Sequence, residues 1–225
     1  MTEHAERPAA AAAFDNPGGA DVAGTAKRPV RPRHAASILV WRDGRDGPEI
    51  LMGRRNKALR FMPDVMVFPG GRVDPGDAGA PAAGELRPEV LAALSRVGTP
   101  RLARACAMAA ARELHEETGL SLGDPPDLGV LDYLCRAVTP NTRPMRFNAR
   151  FLIAPAAAVS GRIVSSGELE ELGFYSAPAA RAARMASITE VILAEFLAWH
   201  AMPPQARKAR MPVRFLGMNS RLAER

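Results

Sequence analysis

Arg112-Glu113-Leu114-His115-Glu116-Glu117-Thr118-Gly119-Leu120 is the stretch of this 225-residue chain whose reading decides the fold. Its context upstream is helical. Thr99 is a good N-cap, because its hydroxyl can accept a bond from one of the first helical N–H groups. Pro100 suits the first helical position, where no N–H is needed. Residues 101–118 contain neither Gly nor Pro and are rich in Ala, Leu, Arg and Glu, all good helix formers. Gly119 can take the left-handed conformation that stops a helix.

On that helix Glu113, Glu116 and Glu117 stand at i, i+3 and i+4, within about a 100° arc of one face. The three carboxylates repel one another and crowd the negative end of the helix dipole. A divalent cation would reverse both penalties. Mg²⁺ favours carboxylate and water oxygens and leaves positions open for phosphate. Arg112, four residues before Glu116, can pair with it. A solvated acidic helix end is the plainer alternative, and these residues alone leave it open.

Working outward, Ala36 to Trp41 reads as a strand, 42–48 as a turn and Glu49 to Gly53 as the returning strand. Val65 to Phe68 is a short apolar strand stopped by Pro69-Gly70-Gly71. After a loop, Glu85 to Val97 has helical spacing and ends at Gly98. Strands are expected near Val130 to Cys135 and Arg146 to Ala154, and a last helix from Ile188 to His200. Strands before, between and after helices indicate an α/β domain. Residues 1–33, rich in Ala, Pro and Gly, read as a disordered tail. The domain is expected over 34–202, with 203–225 as a basic C-terminal tail. From Ala201 to Arg225 six Lys/Arg face one acid, and a solvated tail is the plain reading.

Composition narrows the functional classes. An apolar fraction of 47% suits a globular protein, and the formal net charge is +6. Aromatics at 5% argue against a surface that stacks nucleic-acid bases. The two cysteines, Cys106 and Cys135, have no metal-ligand spacing and imply no disulfide framework. No apolar run approaches the roughly 20 residues a membrane span needs, and the N-terminus lacks a secretory h-region. A cytoplasmic location is the default expectation.

The segment Arg112 to Leu120 resembles the second half of the Nudix box, whose pattern is G-x5-E-x7-R-E-U-x-E-E-x-G-U with U a bulky aliphatic. Phe68-Pro69-Gly70-Gly71 resembles the strand and turn leading into it. The departure is between them. Gly71 and Arg112 lie 41 positions apart where the pattern has fourteen, so an insertion at about 75–98 is implied, carrying the extra helix. On this reading the box's first glutamate has no clear counterpart.

The resemblance implies an α/β/α sandwich with a mixed sheet. It also implies hydrolysis of a diphosphate linkage in a nucleoside diphosphate derivative, a small-molecule nucleotide substrate. Glu113, Glu116 and Glu117 would hold Mg²⁺ or Mn²⁺, Arg112 would orient a carboxylate, and Gly70 and Gly71 would shape the turn. Glu116 is the first choice for general base, with Glu113 also catalytic. A later-loop acid is expected from Glu168 or Glu171. His115 falls at a variable, solvent-facing position, and Cys106 reads as a small core residue. Homodimers are frequent in the family, so one is an implied state here.

The segment 53–71 is similar to the region before the box in coenzyme A diphosphatases of the family, with Arg55, Leu59, Arg60 and Phe68 at corresponding spacing. Met62 and Asp64 replace that motif's histidine and glycine. Phe61-Met62-Pro63, Thr139-Pro140 and 146–151 resemble a branch with a longer insertion. Arg55, Arg60, Arg146 and Arg150 are candidates to grip substrate phosphates. CoA or acyl-CoA is one substrate class implied; dinucleotides, nucleotide sugars and NADH are others. A nucleotide-binding regulator of the same fold without catalysis is the alternative.

Overall fold

A computed structural model describes residues 30–59, 62–217 and 220–224. The chain begins with β1 (Arg33–Gly44), β2 (Gly47–Arg55), β3 (Met66–Val67) and β4 (Gly70–Arg72). Two helices follow, α1 (Pro88–Ser95) and α2 (Pro100–Thr118). Next come β5 (Leu120–Ser121), β6 (Asp132–Val138), β7 (Phe147–Pro155), β8 (Ser160–Gly161) and β9 (Leu169–Ser176). The chain then passes through α3 (Ala177–Ala182), α4 (Ser187–His200) and α5 (Pro204–Ala209) to β10 (Val213–Leu216) and β11 (Ser220–Ala223).

The strands form a mixed sheet in the order β11-β10-β6-β7-β1-β2-β3, with β4 also on β1 and β9 also on β2. β1 runs parallel to β7, and β10 parallel to β6; the other pairs are antiparallel. β1 is central, and its sequence shows why. Ile38, Leu39 and Val40 are all fully buried. Ile38 and Val40 join the core under α1 and α2, while Leu39 joins the core under α4. Alternate residues of a strand face opposite sides, and a strand covered on both faces reads as an unbroken apolar run. The result is the expected α/β/α sandwich.

α2 matches its expected span. Thr99 caps it by accepting from the Leu102 N–H at 3.1 Å, and Gly119 ends it at φ 71°. A stripe of small buried residues, including Ala103, Cys106, Ala107 and Ala110, lets the helix lie close on the sheet. The thiol of Cys106 is buried as expected, and burial pushes its pKa up. α1 is shorter than the helix expected from Glu85 to Val97, because Pro88 cannot be interior and so opens it.

The segment after Met202 departs most from expectation. It is not a solvated tail: after the short helix α5, β10 and β11 extend the sheet beside β6. Buried ion pairs tie it to the rest of the domain. Glu195 of α4 receives Arg210 at 3.1 Å and Arg221 at 3.0 Å. Glu224, itself buried, accepts from Arg136 and from the Tyr133 hydroxyl. Charges drawn into the protein must be paired, so this basic stretch is partly the complement of acids elsewhere in the chain. Of the 1–33 tail, residues 1–29 lie outside the described residues, and Arg33 already opens β1. No helix among the described residues is long and apolar enough to cross a membrane.

Candidate active site

The C-terminal half of α2 lies against β4, and this contact builds the site. The Gly70 N–H donates to Glu117 Oε2 at 2.8 Å. Gly71 gives Glu113 its space: a Cβ there would lie 2.2 Å from Glu113 Oε1. The expected turn glycines therefore touch two of the three expected glutamates, one through a donor and one through absence of a side chain.

Arg112 is the hub. Its Nη1 donates to Glu113 Oε1 at 2.9 Å and to Glu116 Oε2 at 3.0 Å, and Nη2 donates to the Arg72 carbonyl at 2.9 Å. Nε donates to Asp77 Oδ1 at 3.0 Å. Burial works against the charge of Arg112, but Asp77 and Glu113 outweigh it and hold the guanidinium above its ordinary pKa. The expectation that it pairs with Glu116 is met and enlarged.

Asp77 corrects the reading that the first box acid has no counterpart. It is 4% exposed, and it braces Arg112 while receiving the Asp74 N–H at 2.7 Å. It stands six residues after Gly71, the spacing of the pattern's first acid. The shorter Asp in place of Glu, with the extra residues falling after it, hid a signal that was present in the spacing.

The electrostatics are lopsided toward negative charge. Burial raises the Glu117 carboxyl to about 8, opposed by the Gly70 N–H and Arg55 and reinforced by Glu113 and Glu168. Glu113 is also raised, by burial first, with Arg112 opposing and Glu116 and Glu168 adding to it. Glu116 and His115 are exposed. Glu168, just before β9, is thus close enough to act on both Glu113 and Glu117. Glu171 is not brought in: at φ 50° it turns to Arg54, whose Nε lies 3.0 Å from Oε2.

The arginines divide likewise. Arg55, at the end of β2, acts on Glu117 and stands at the site. Arg60 lies outside the described residues. Arg150 is not at the site. It is 1% exposed beneath the α1–α2 turn, where Nη2 donates to the Val97 carbonyl at 2.8 Å. Its place opposite Ala36 on parallel β7 and β1 sends it into the helix-covered face. Arg146 also serves structure, donating to the carbonyls of Thr139 and Val30.

Among the described residues no three acids, histidines or cysteines converge as a closed ligand set. The side chains have other partners: Arg112 draws Glu113 and Glu116 together, and Gly70 draws Glu117 away. The donor chemistry nonetheless fits a hard divalent ion, since every contributor is a carboxylate. Two of these carboxyls are also kept above their ordinary range by burial and mutual repulsion.

The fold is similar to that of solved structures. A NUDIX hydrolase from Alicyclobacillus acidocaldarius matches with a TM-score of 0.58 at 23% identity, covering 82% of this chain and 99% of that one. A MutT NUDIX hydrolase from Burkholderia pseudomallei matches with a TM-score of 0.47 at 21% identity, covering 74% of this chain and 98% of that one. No protein-family model matches the chain, and no curated protein matches it significantly. The first of these likenesses establishes the fold, a mixed α/β Nudix architecture.

Proposed function

We propose that this chain is a divalent-metal-dependent hydrolase of a diphosphate linkage in a nucleoside diphosphate derivative. The observation that carries the reading is the carboxylate cluster itself. Glu113, Glu116 and Glu117 share one helix end, Arg112 and Asp77 brace it, and Glu168 faces it from another element. Burying acids beside one another on a helix C-terminus costs stability, and a cation compensates that cost.

Glu113, Glu116 and Glu117 would hold Mg²⁺ or Mn²⁺, with Glu168 as a further acid. When bound, the ion supplies neutralisation of the charge on the diphosphate oxygens. The protein's own groups do the rest. Arg112 positions the carboxylates of Glu113 and Glu116. The Gly70 N–H orients Glu117. Arg55 contributes positive charge toward the substrate's phosphates. Glu116, exposed and bonded on one oxygen to Arg112, is the group suited to accept a proton from the attacking water. The water oxygen bonds to phosphorus, the bridging P–O bond breaks, and the displaced phosphate leaves with its electron pair.

The substrate class is a nucleoside diphosphate derivative, with CoA or acyl-CoA one of its members. The test is a panel of CoA, ADP-ribose, NADH and diadenosine polyphosphates with Mg²⁺ or Mn²⁺. Turnover of at least one, dependent on the ion and lost by about a hundredfold or more in Glu116→Gln, is the expected result. Tight binding of a compound with no turnover of any would overturn hydrolysis and favour the non-catalytic regulator.

A further inference from the structure

Away from the carboxylates, the start of β1 and the end of β4 frame an open cavity of about 590 Å³, lined by Arg33, His34, Arg72, Val73, Asp74 and Pro75. Arg72 pairs with Ala35 across the two strands, and the Val73 N–H donates to the His34 carbonyl at 3.0 Å. The side chains of Arg33 and Arg72 are exposed, and neither has a side-chain partner among the described residues.

Behind this cavity lies an uncompensated charge. Arg150 is 1% exposed, and its Nε has no hydrogen-bond partner. Among the described residues it meets the Val97 carbonyl, the Cys106 thiol and, with Nη1, His34 Nδ1 at 3.5 Å. None of these is a carboxylate. Arg136, the other buried arginine on this side, is already paired with Glu224. A buried guanidinium without a counter-charge is costly, and among the described residues His34 touches Arg150 and also lines the cavity. Burial, Arg150 and Arg136 lower the pKa of that imidazole in this order. A neutral ring whose Nδ1 faces a guanidinium carries its proton on Nε2, which makes it a donor. Asp74 is the cavity's acid, and it leans toward Arg112 Nη2 at 3.8 Å.

We propose that this cavity is an anion site for the phosphate of a phosphomonoester, held directly by Arg33, His34 and Arg72, with Arg150 supplying the charge behind the imidazole. A compact dianion matches two exposed guanidinium forks and one neutral N–H donor. The site adjoins the carboxylate cluster, because the Arg72 carbonyl is a partner of Arg112. The phosphate therefore belongs either to an outlying part of the substrate or to a separate small molecule.

The probe is inorganic phosphate, titrated into the full chain in EDTA. There the acidic cluster repels anions, and no turnover is needed, so the result stands apart from diphosphate hydrolysis. Calorimetry should show saturable binding, with the His34 imidazole NMR signals moving in step. Arg33→Glu and, separately, Arg72→Ala should weaken binding by about tenfold or more with unchanged melting temperature. No saturable binding, or undiminished binding in both variants, would overturn the proposal. The source is then read from KM. If Arg33→Glu raises KM only for substrates with an additional phosphomonoester, the phosphate is the substrate's own. If no KM changes while phosphate binding is lost, the site serves a separate phosphomonoester.

Discussion

Gly71→Ala separates the carboxylate geometry from the fold. A Cβ at this position would sit 2.2 Å from Glu113 Oε1, 2.4 Å from Cδ and 2.6 Å from Oε2. Carbon and oxygen need about 3.3 Å, so the carboxylate must retreat by about 1 Å. The obstruction is the tip of a flexible side chain, and the retreat is cheap for the fold. It forfeits the Arg112–Glu113 bond, worth about 1–2 kcal/mol, while removing a glycine returns about 0.5 kcal/mol through the unfolded chain. The melting temperature should fall by less than about 5 °C. Catalysis is less forgiving, because misplacing a group by about 1 Å can cost about a hundredfold. The assay pairs kcat on a turned-over diphosphate with calorimetric Mn²⁺ affinity, and both should drop while circular dichroism stays native. A variant with native kcat and native Mn²⁺ affinity would refute the role given to Glu113. Gly70→Ala is the control: its Cβ would meet the Ala36 carbonyl oxygen at 2.5 Å and Ser37 Cα at 2.6 Å. These are backbone atoms of the central strand, so that variant should lose about 3 kcal/mol or more.

Other expectations can be measured alongside. Glu168→Gln should lower kcat by about tenfold or more, and Glu171→Gln should leave it within about twofold, because of the two only Glu168 acts on Glu113 and Glu117. Glu117 has a folded pKa of about 8 against an ordinary value of 4.5. The folded state thus binds the extra proton, and stability must fall as pH rises from about 5 through about 8. Urea midpoints in EDTA should show this loss, on the order of a few kcal/mol, and Glu117→Gln should flatten it. A chain ending at Met202 would leave Glu195 and Arg136 buried without Arg210, Arg221 and Glu224. It should be destabilised by about 3–5 kcal/mol or more in chemical denaturation, and native-like stability would refute the pairing.

What the sequence determined by itself was local or short-range. α2 could be placed to the residue because Thr99, Pro100 and Gly119 act within one turn of its ends. The three glutamates share a face because helix geometry makes i, i+3 and i+4 neighbours. The central strand was legible as an apolar run. Even Asp77 was available from its distance to Gly71, though the long interval before Arg112 concealed it. Tertiary structure alone decided the rest. Glu168 and Glu171 are three residues apart with the same chemistry, and only the pairing of β9 with β2 sends one to the carboxylates and the other to Arg54. Arg150 resembled a phosphate ligand by composition, but its register against β1 placed it under a helix. The last strands are short and basic, and only the fold shows that Val213 and Phe215 of β10 enter the core under α4. Their charges are paired across the fold as well: Arg210 and Arg221 meet Glu195 of α4, and Glu224 meets Arg136 of β6. A charge shows its sign in the sequence, but its partner and its solvation depend on which distant segments the fold brings beside it.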